Sequence, residues 1–216
     1  TKYVTQLRQN YRNHPAIMRF SNENFYDSQL ISKCSNEVLN CACDPELLIN
    51  NPYFPILFCT IESKSEKVGK TLKNEGELAM LTNYLNVLLK RGVKGMEVSQ
   101  DDIGIITPYR GQRNRMIESF CKSFSKLEIG TVDAFQGREK KIIMFSCVRS
   151  GMKDIGFLRN EKRLNVALTR AKALLIIFGN IEMLQKCAKW KKFITYCYEN
   201  EAVVGGIHSA NENAAA

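Results

Sequence analysis

The stretch Arg163-Leu-Asn-Val-Ala-Leu-Thr-Arg170-Ala-Lys172 runs directly into the apolar segment Ala173-Leu-Leu-Ile-Ile-Phe-Gly179, and together they decide the fold. The apolar segment is continuous, which is typical of a strand buried on both faces of a parallel sheet. The residues before it predict a helix from Arg163 to Ala171 that carries two arginines seven residues apart. Guanidinium groups suit polyanions because they bind phosphate through parallel hydrogen bonds. This junction therefore predicts phosphate chemistry at the edge of a parallel sheet.

Apolar runs alternate with amphipathic runs along most of the chain, which predicts parallel strands joined by crossover helices. The predicted strands cover 55–61, 103–106, 128–132, 141–147 and 174–178, and the predicted helices cover 75–91, 112–124, 163–171 and the region 181–199. Leucines recur at helical spacing in the first helix, and Gly92 ends it. About five strands and five helices without an internal repeat predict a single doubly wound α/β domain.

The domain is expected to cover residues 1–203. The stretch 32–51 is polar and aperiodic, so it predicts an insertion or a long loop. Residues 204–216 predict a flexible tail or a cloning remnant. The chain begins with Thr1 rather than Met, so we expect an excised fragment whose upstream partner is missing.

Thirty-one Lys and Arg against 22 Asp and Glu leave a net charge of +9. That excess favours polyanionic partners through counterion release and long-range attraction, and nucleic acid is one such partner. No stretch approaches the ~20 apolar residues of a membrane span, and no signal-peptide pattern opens the chain.

Eight cysteines raise the question of disulfides or a metal site. Cys59 and Cys147 lie in apolar strand-like runs, and Cys34, Cys41 and Cys43 lack the paired spacing of a zinc site. We therefore expect reduced thiols, a cytoplasmic location and no bound metal.

Gly69-Lys-Thr71 lies between a predicted strand and a predicted helix, where a phosphate-binding loop would be placed. Such a loop needs a glycine five positions before Gly69, because its backbone N–H groups wrap the phosphates. Position 64 is Lys, so the sequence predicts an exposed basic loop and no complete nucleotide cradle.

Two segments combine aromatic and cationic residues. Gln9-Asn-Tyr-Arg-Asn-His-Pro15 places Tyr11 beside Arg12, which suits stacking on a base and binding its phosphate, although a core tyrosine and a surface arginine explain the same residues. Ile106-Thr-Pro-Tyr-Arg-Gly-Gln112 follows a predicted strand and is expected to expose a hydroxyl, an aromatic ring and a cation. Open α/β sheets bind ligands at that edge, and an ordinary turn is the alternative.

Thr131-Val-Asp-Ala-Phe-Gln-Gly-Arg-Glu139 lies between two predicted strands. Gly137 allows backbone to approach a ligand, and Glu139 can accept hydrogen bonds from sugar hydroxyls. With the arginine-bearing helix, four such segments at the ends of predicted strands make coincidence a poor explanation.

The four segments resemble, in order, the motif set in the second RecA-like domain of superfamily 1 helicases, from about Gln9 to Glu199. They most resemble the group containing the nonsense-mediated decay helicase, whose members move 5′ to 3′. Within it, residues 7–15, 171–180 and 190–193 are similar to Armitage-like RNA helicases of small-RNA silencing, while DNA-acting relatives share much of the set. The resemblance implies a RecA-like α/β fold, a doubly wound and mainly parallel sheet flanked by helices.

The resemblance implies that ATP binds in a cleft between this domain and an upstream RecA-like domain of the same polypeptide, which holds the Mg²⁺. Arg170 would be the arginine finger and Arg12 a second arginine reaching the γ-phosphate. Tyr11 would stack on adenine, Glu139 would hold the ribose and Gly137 would approach the phosphates, and Gln136 is also assigned to the nucleotide. The isolated chain is therefore expected to be inactive as an ATPase.

The resemblance also implies a track for single-stranded RNA, with DNA as the alternative. The positions that match or flank this track are Thr107, Pro108, Tyr109, Thr131 and Arg149. Contacts from such residues follow phosphates without reading sequence, although turn and surface roles explain Thr107 and Arg149 equally well. Closing and opening of the ATP cleft would move the strand-binding surfaces of the two domains relative to each other, which is translocation.

The alternative to an enzyme is a scaffold domain. Such a domain would bind RNA or the proteins of a small-RNA silencing complex. The pair Arg12 and Arg170 favours the enzyme, because a scaffold has no physical need for phosphate-facing arginines. An upstream G-x-x-x-x-G-K-[ST] segment with a D-E pair would distinguish the two.

Overall fold

The computed structural model describes residues 7–39, 51, 53–93 and 97–205. The strands and helices in chain order are β1 (Gln9–Asn10), α1 (Pro15–Phe25), β2 (Ile31–Ser32), α2 (Asn36–Leu39), β3 (Ile56–Thr60), β4 (Glu66–Val68), β5 (Thr71–Lys73), α3 (Glu75–Arg91), β6 (Ile103–Thr107), α4 (Arg110–Phe120), β7 (Glu128–Thr131), β8 (Lys140–Ser146), α5 (Glu161–Leu168), β9 (Ala171–Gly179), α6 (Ile181–Leu184), α7 (Ala188–Glu199) and β10 (Val203–Gly205). Short 3-10 helices lie at Gln100–Asp102 and Gly156–Arg159.

Within the described residues, the central sheet has six strands in the order β10-β3-β9-β8-β6-β7, and every neighbouring pair is parallel. Alternate residues of each strand point to opposite faces, so Ile143 joins one apolar layer and Ile142 the other. The first layer includes Trp190 of α7 with residues of α1 and α5, and the second includes Leu81 of α3 with residues of α4. The doubly wound, mainly parallel α/β sheet predicted from the sequence is confirmed.

The long helix α3 begins and ends where the sequence predicts. Its amino end is capped by Asn74, whose side chain accepts a hydrogen bond from the N–H of Glu77. Its carboxyl end is closed by Gly92, which has a φ of 72° and donates its N–H to the carbonyl of Leu88 at 2.8 Å. That left-handed backbone is one that glycine adopts without steric cost.

The helix α5 is shorter than predicted. It ends at Leu168, and Ala171 already pairs with Lys140 in the sheet. Ala171 is the first residue of β9, so Arg170 lies between the end of α5 and the start of β9. The prediction that one helix carries both arginines is therefore wrong for Arg170.

Two irregular regions of the sequence contain regular structure. The stretch expected to be an aperiodic insertion begins inside β2, which pairs in parallel with β1, and continues into the short helix α2; residues 40–50 and 52 lie outside the described residues. At the other end, Val204 and Gly205 belong to β10 and pair with β3, so the predicted boundary at 203 falls two residues early. Residues 206–216 of the predicted tail lie outside the described residues.

Gly69 and Lys70 form the turn of the exposed antiparallel hairpin β4–β5. Gly69 has a φ of 56°, and Thr71 starts a strand where a phosphate-binding loop would start a helix. The prediction of an exposed basic loop is confirmed.

Among the described cysteines, which exclude Cys41 and Cys43, none forms a disulfide. Burial raises the pKa of the Cys59 thiol to about 12, so this group is not a reactive thiolate at neutral pH. None of the described helices has the length and apolar character needed to cross a bilayer.

The connection from β7 to β8 has only eight residues, 132–139. It runs from the carboxyl ends of the parallel strands, which we call the carboxyl edge of the sheet, to their amino ends, which we call the amino edge. The buried ring of Phe135 fixes this segment by packing directly on the backbone of the sheet. A Cβ added to Gly104 would come within 2.8 Å of that ring, and one added to Gly130 within 2.7 Å. Glycine is required at both positions because the ring occupies the space of a side chain.

The substitution Gly130→Ala is expected to lower the free energy of unfolding by about 1–3 kcal/mol, because the new methyl group displaces the Phe135 ring or the strand. Denaturant unfolding of the variant and the parent chain measures this. Gly205→Ala is the matched control, since a Cβ there meets no atom within 4 Å. Equal stability of the two variants would show that the ring does not rest on β7.

Candidate functional site

Arg12, Glu139 and Lys172 form an ion-pair cluster at the amino ends of β8 and β9. The guanidinium of Arg12 pairs with Glu139, and the Nζ atom of Lys172 lies 2.9 Å from Oε1 of Glu139. Burial alone would raise the pKa of Glu139, but the hydrogen bond from Lys172 and the charges of Arg12 and Lys172 hold it below its ordinary value. Glu139 is therefore ionised at neutral pH, and each of the three side chains remains partly exposed.

Arg170 lies beside this cluster. Its Nε atom donates to the carbonyl of Val166 at 3.1 Å, and Nη1 donates to the carbonyl of Arg138 at 3.1 Å. Burial and the positive charge of Arg12 lower the pKa of Arg170, while the negative charge of Glu139 opposes them. Two guanidinium groups that repel each other at one surface favour an incoming anion, because its charge relieves that repulsion.

Asn13 places Arg12 in this cluster. Its buried amide donates to the carbonyls of Thr169 at 3.0 Å and Ala171 at 2.6 Å. The N–H of His14 donates to the carbonyl of Lys172 at 2.8 Å, which fastens the same segment to β9. The sequence analysis missed Asn13, although an asparagine between an arginine and a helix-starting His-Pro pair is the available signal.

A cleft of about 540 Å³ opens at the cluster, and its lining includes Tyr11, Arg12, Glu139, Lys141 and Lys172. The side chain of Tyr11 is 68% exposed, so its ring is available for stacking. The short helix α2 also lines the cleft.

The structure therefore brings together four of the predicted nucleotide residues: Tyr11, Arg12, Glu139 and Arg170. Gln136 and Gly137 are exposed on the 132–139 segment and are not among the residues that line the cleft. Gly137 has a φ of 84°, and a Cβ there would meet no atom within 4 Å. The positive φ therefore explains why this position is a glycine.

The predicted strand-binding residues lie at the opposite edge of the sheet. Thr107 and Thr131 are register partners at the carboxyl ends of β6 and β7, and Arg149 follows β8. Arg12, Glu139 and Arg170 lie at the amino edge, so the two groups of predicted site residues lie at opposite edges of the sheet. The helix α5 and the 132–139 segment both run from one edge to the other.

The side chains of Thr107 and Tyr109 are buried, so the expectation that this segment exposes a hydroxyl and an aromatic ring is wrong for both. Thr107 Oγ1 accepts a hydrogen bond from the N–H of Tyr109 at 3.4 Å, and the hydroxyl of Tyr109 accepts one from Nε of Arg149 at 2.6 Å. Burial raises the pKa of Tyr109, although the bond from Arg149 opposes it. Both residues support the exposed surface from beneath.

A second cleft, of about 570 Å³, opens at this carboxyl edge. Its lining includes Pro108, Thr131, Asp133 and three cations, Lys70, Arg110 and Arg163. Arg163 binds the carboxylate of Asp133 through two hydrogen bonds of 3.0 and 2.9 Å. Arg163 therefore lines this cleft, whereas Arg170 lies beside the cluster at the other edge, so the two arginines of the opening stretch are far apart in function as well as in position along the sheet.

Arg149 is positioned by a buried carboxylate that the sequence analysis missed. Val148, directly before it, has a φ of 71°, and its N–H donates to the two carboxylate oxygens of Glu77 at 2.9 and 2.8 Å. Ser146 also donates to Glu77, at 2.6 Å. Burial raises the pKa of Glu77 to about 8 even though these hydrogen bonds oppose the shift. The available signal is a charged residue four positions before Leu81 on the apolar stripe of α3.

A family model described as an AAA domain matches residues 1–182. The chain belongs to this family. Over 225 aligned residues this AAA domain is 39% identical to the putative helicase mov-10-B.1 of Danio rerio, an alignment that covers 94% of the chain and 22% of that protein. It is 38% identical to the putative helicase MOV-10 of Gallus gallus, with 94% and 23% covered. It is 36% identical to the regulator of nonsense transcripts 1 homolog of Drosophila melanogaster, with 93% and 17% covered.

These matches confirm the resemblance to the superfamily 1 group that contains the nonsense-mediated decay helicase, and the AAA domain is a helicase domain of that group. The chain spans about a fifth of the length of these relatives. Among solved structures, the PRRSV helicase aligns with a TM-score of 0.40 at 16% identity over 85% of this chain and 25% of its own, a likeness too weak to support an inference.

Proposed function

We propose that this domain is the second motor domain of an ATP-dependent helicase or translocase that moves 5′ to 3′ on single-stranded nucleic acid, with RNA as the preferred strand. The observation that carries the proposal is the amino-edge cluster, in which Arg12 and Arg170 converge beside an ionised Glu139 and an exposed Tyr11. Such a cluster offers positive charge, a sugar acceptor and a stacking ring at one surface.

The chemistry of the cluster fits a nucleoside triphosphate. Charge builds up on the transferred phosphoryl group and on the leaving oxygen, and a guanidinium beside either lowers the barrier. Arg170 acts as the arginine finger, and Arg12 stabilises the γ-phosphate from the other side. Glu139 accepts from the ribose hydroxyls, and Tyr11 stacks on adenine.

The rest of the nucleotide site belongs to an upstream RecA-like domain. That domain supplies the phosphate-binding loop and holds most of the Mg²⁺ coordination, and the metal neutralises phosphate charge when it is bound. The hairpin around Gly69 is not such a loop, because it joins two antiparallel strands. The isolated chain is therefore half of a composite site and is inactive as an ATPase.

The carboxyl edge supplies the strand track. Lys70 and Arg110 line its cleft, and Arg149 lies beside it on a backbone fixed by Glu77. Cations along one surface bind phosphates without reading base sequence. Pro108 and Thr131 line the same cleft, while Thr107 and Tyr109 act by supporting Arg149.

The relative named as a regulator of nonsense transcripts favours RNA over DNA as the strand, because transcripts are RNA. The location that we propose is the cytoplasm. The similarity of residues 7–15 and 171–180 to Armitage-like helicases extends the proposal to small-RNA silencing, with silencing proteins as partners.

ATP turnover by the full-length protein and by this isolated chain, each with and without saturating oligouridine, tests the proposal. We expect strand-stimulated turnover by the full-length protein only, since the half-site cannot hold the triphosphate alone. Displacement of a duplex with a 5′ tail but not one with a 3′ tail would support the direction. Strand binding without any turnover in the full-length protein would instead identify a scaffold, and turnover by the isolated chain would contradict the composite site.

A further inference from the structure

Phe157 is an exposed aromatic residue in a segment that is otherwise fixed by buried contacts. Its side chain is 57% exposed and lies in the short 3-10 helix Gly156–Arg159. The next residue, Leu158, is buried, and its carbonyl accepts a hydrogen bond from the indole N–H of the buried Trp190 at 2.8 Å. A single exposed apolar side chain is common at a protein surface, so the case for a contact surface rests on the neighbours of this ring.

The neighbours of Phe157 fix the orientation of the ring. Tyr109 meets it edge to face, with centroids 5.9 Å apart and the planes at 73°. The guanidinium of Arg163 lies 5.5 Å from the ring centre and is itself held by Asp133. Gly156 has a φ of 58°, and its missing side chain leaves room for Arg149, whose guanidinium would lie 2.5 Å from an added Cβ.

Phe157 stands between two cationic clefts. On one side is the 570 Å³ cleft that contains Lys70 and Arg110, and on the other is a shallow cleft that contains Arg149 and Arg159. Arg163 lines both. Phe157 itself lines both clefts, so a polyanion that occupies both would pass the ring and meet the cations of each cleft.

We propose that Phe157 is a stacking platform for one base of the bound single strand, with the phosphates on either side held by Lys70 and Arg110 and by Arg149 and Arg159. This inference rests on the proposed function and adds a base contact to a track that otherwise consists of phosphate contacts. Because every base presents a π-face, the contact strengthens binding without reading sequence.

The experiment is fluorescence anisotropy of the full-length protein with two labelled strands of equal length, oligouridine and an abasic ribose-phosphate chain. Phe157→Ala is expected to weaken oligouridine binding about 5- to 100-fold, the range for loss of one stacked base, and to change abasic binding by less than about 2-fold. Phe157→Trp is expected to bind oligouridine at least as tightly as the parent protein, and Phe157→Leu, which keeps the apolar volume without a π-face, to lose affinity as alanine does.

Tyr198→Ala on α7 is the matched control, because that aromatic side chain is 54% exposed and is not among the residues lining either cleft. Equal losses of Phe157→Ala on both strands, unchanged binding of both, or parental binding by Phe157→Leu would each overturn the platform. A parent protein that binds neither strand would overturn the proposed function itself. An oligothymidine strand of the same length separates RNA from DNA as the ligand.

Discussion

Replacement of Arg170 by alanine in the full-length protein is expected to lower ATP turnover by about three orders of magnitude or more, because an arginine finger contributes roughly that much to phosphoryl transfer. Strand affinity is expected to stay within about 2-fold of the parent protein, since the cations of the strand clefts lie at the opposite edge of the sheet. Steady-state turnover with saturating oligouridine and anisotropy with the same strand measure the two quantities.

Arg19→Ala is the matched control for this prediction. Arg19 is an exposed arginine of α1 that pairs with Glu23, so its loss removes the same charge away from the cluster. Parental turnover in Arg170→Ala would exclude the finger assignment. Loss of both turnover and strand binding, with a lowered melting temperature, would instead show that the bonds from Arg170 to Val166 and Arg138 hold the fold.

Glu77→Gln is expected to remove most of a pH dependence in the stability of the chain. The ordinary pKa of a glutamate carboxyl is 4.5, and burial raises that of Glu77 to about 8. Between these values the folded chain holds a proton that the unfolded chain has released, so unfolding releases a proton and the free energy of unfolding falls as pH rises. The contribution is fully present below pH 4.5 and is lost as pH rises through 8, with a slope of up to about 1 kcal/mol per pH unit.

Glutamine has the shape of glutamate, keeps a side-chain oxygen for the N–H of Val148, and cannot ionise. Denaturant unfolding at pH 5, 6, 7 and 8 should therefore show the variant gaining stability relative to the parent as pH rises. Glu23→Gln, a change to an exposed carboxylate on α1, should follow the parent at every pH. Parallel profiles for Glu77→Gln and the parent would mean that the Glu77 carboxyl does not change protonation on unfolding.

The parts of the fold that the sequence predicts are those set by local pattern. The strands β3, β6, β8 and β9 each contain an apolar run, β7 lies in the shorter run that ends at Val132, and the helix α3 has both an apolar stripe and a glycine at its end, so each could be located. The strands β1, β2, β4, β5 and β10 have two or three residues each and carry no periodicity. Such strands exist only because a partner pairs with them, which a sequence does not display.

The residues of the candidate site also fall into two groups, those that a local sequence pattern identifies and those whose role depends on distant contacts. Tyr11, Arg12 and Glu139 belong to short, recognisable segments, and the structure brings them together. Asn13 acts on Thr169, 156 positions away, and Glu77 acts on Val148, 71 positions away, so their roles depend on packing that no local pattern encodes. The sequence also does not show which side chains are buried, which is why Thr107 and Tyr109 were expected at the surface.

The span of α5 has a mechanical consequence. Arg163 lies in α5, which ends at Leu168, and Arg170 follows two residues later. The helix rises roughly 8 Å from Arg163 to Leu168, and its apolar face is buried in the core together with residues of α1. The 132–139 segment, which Phe135 holds in place, is a second connection that runs from the carboxyl edge of the sheet to the amino edge. These two buried links make the described part of the domain stiff between the two ends of its strands. In the proposed motor, we therefore expect the domain to turn as one rigid body, so that a displacement at Arg170 also moves the cations of the strand clefts.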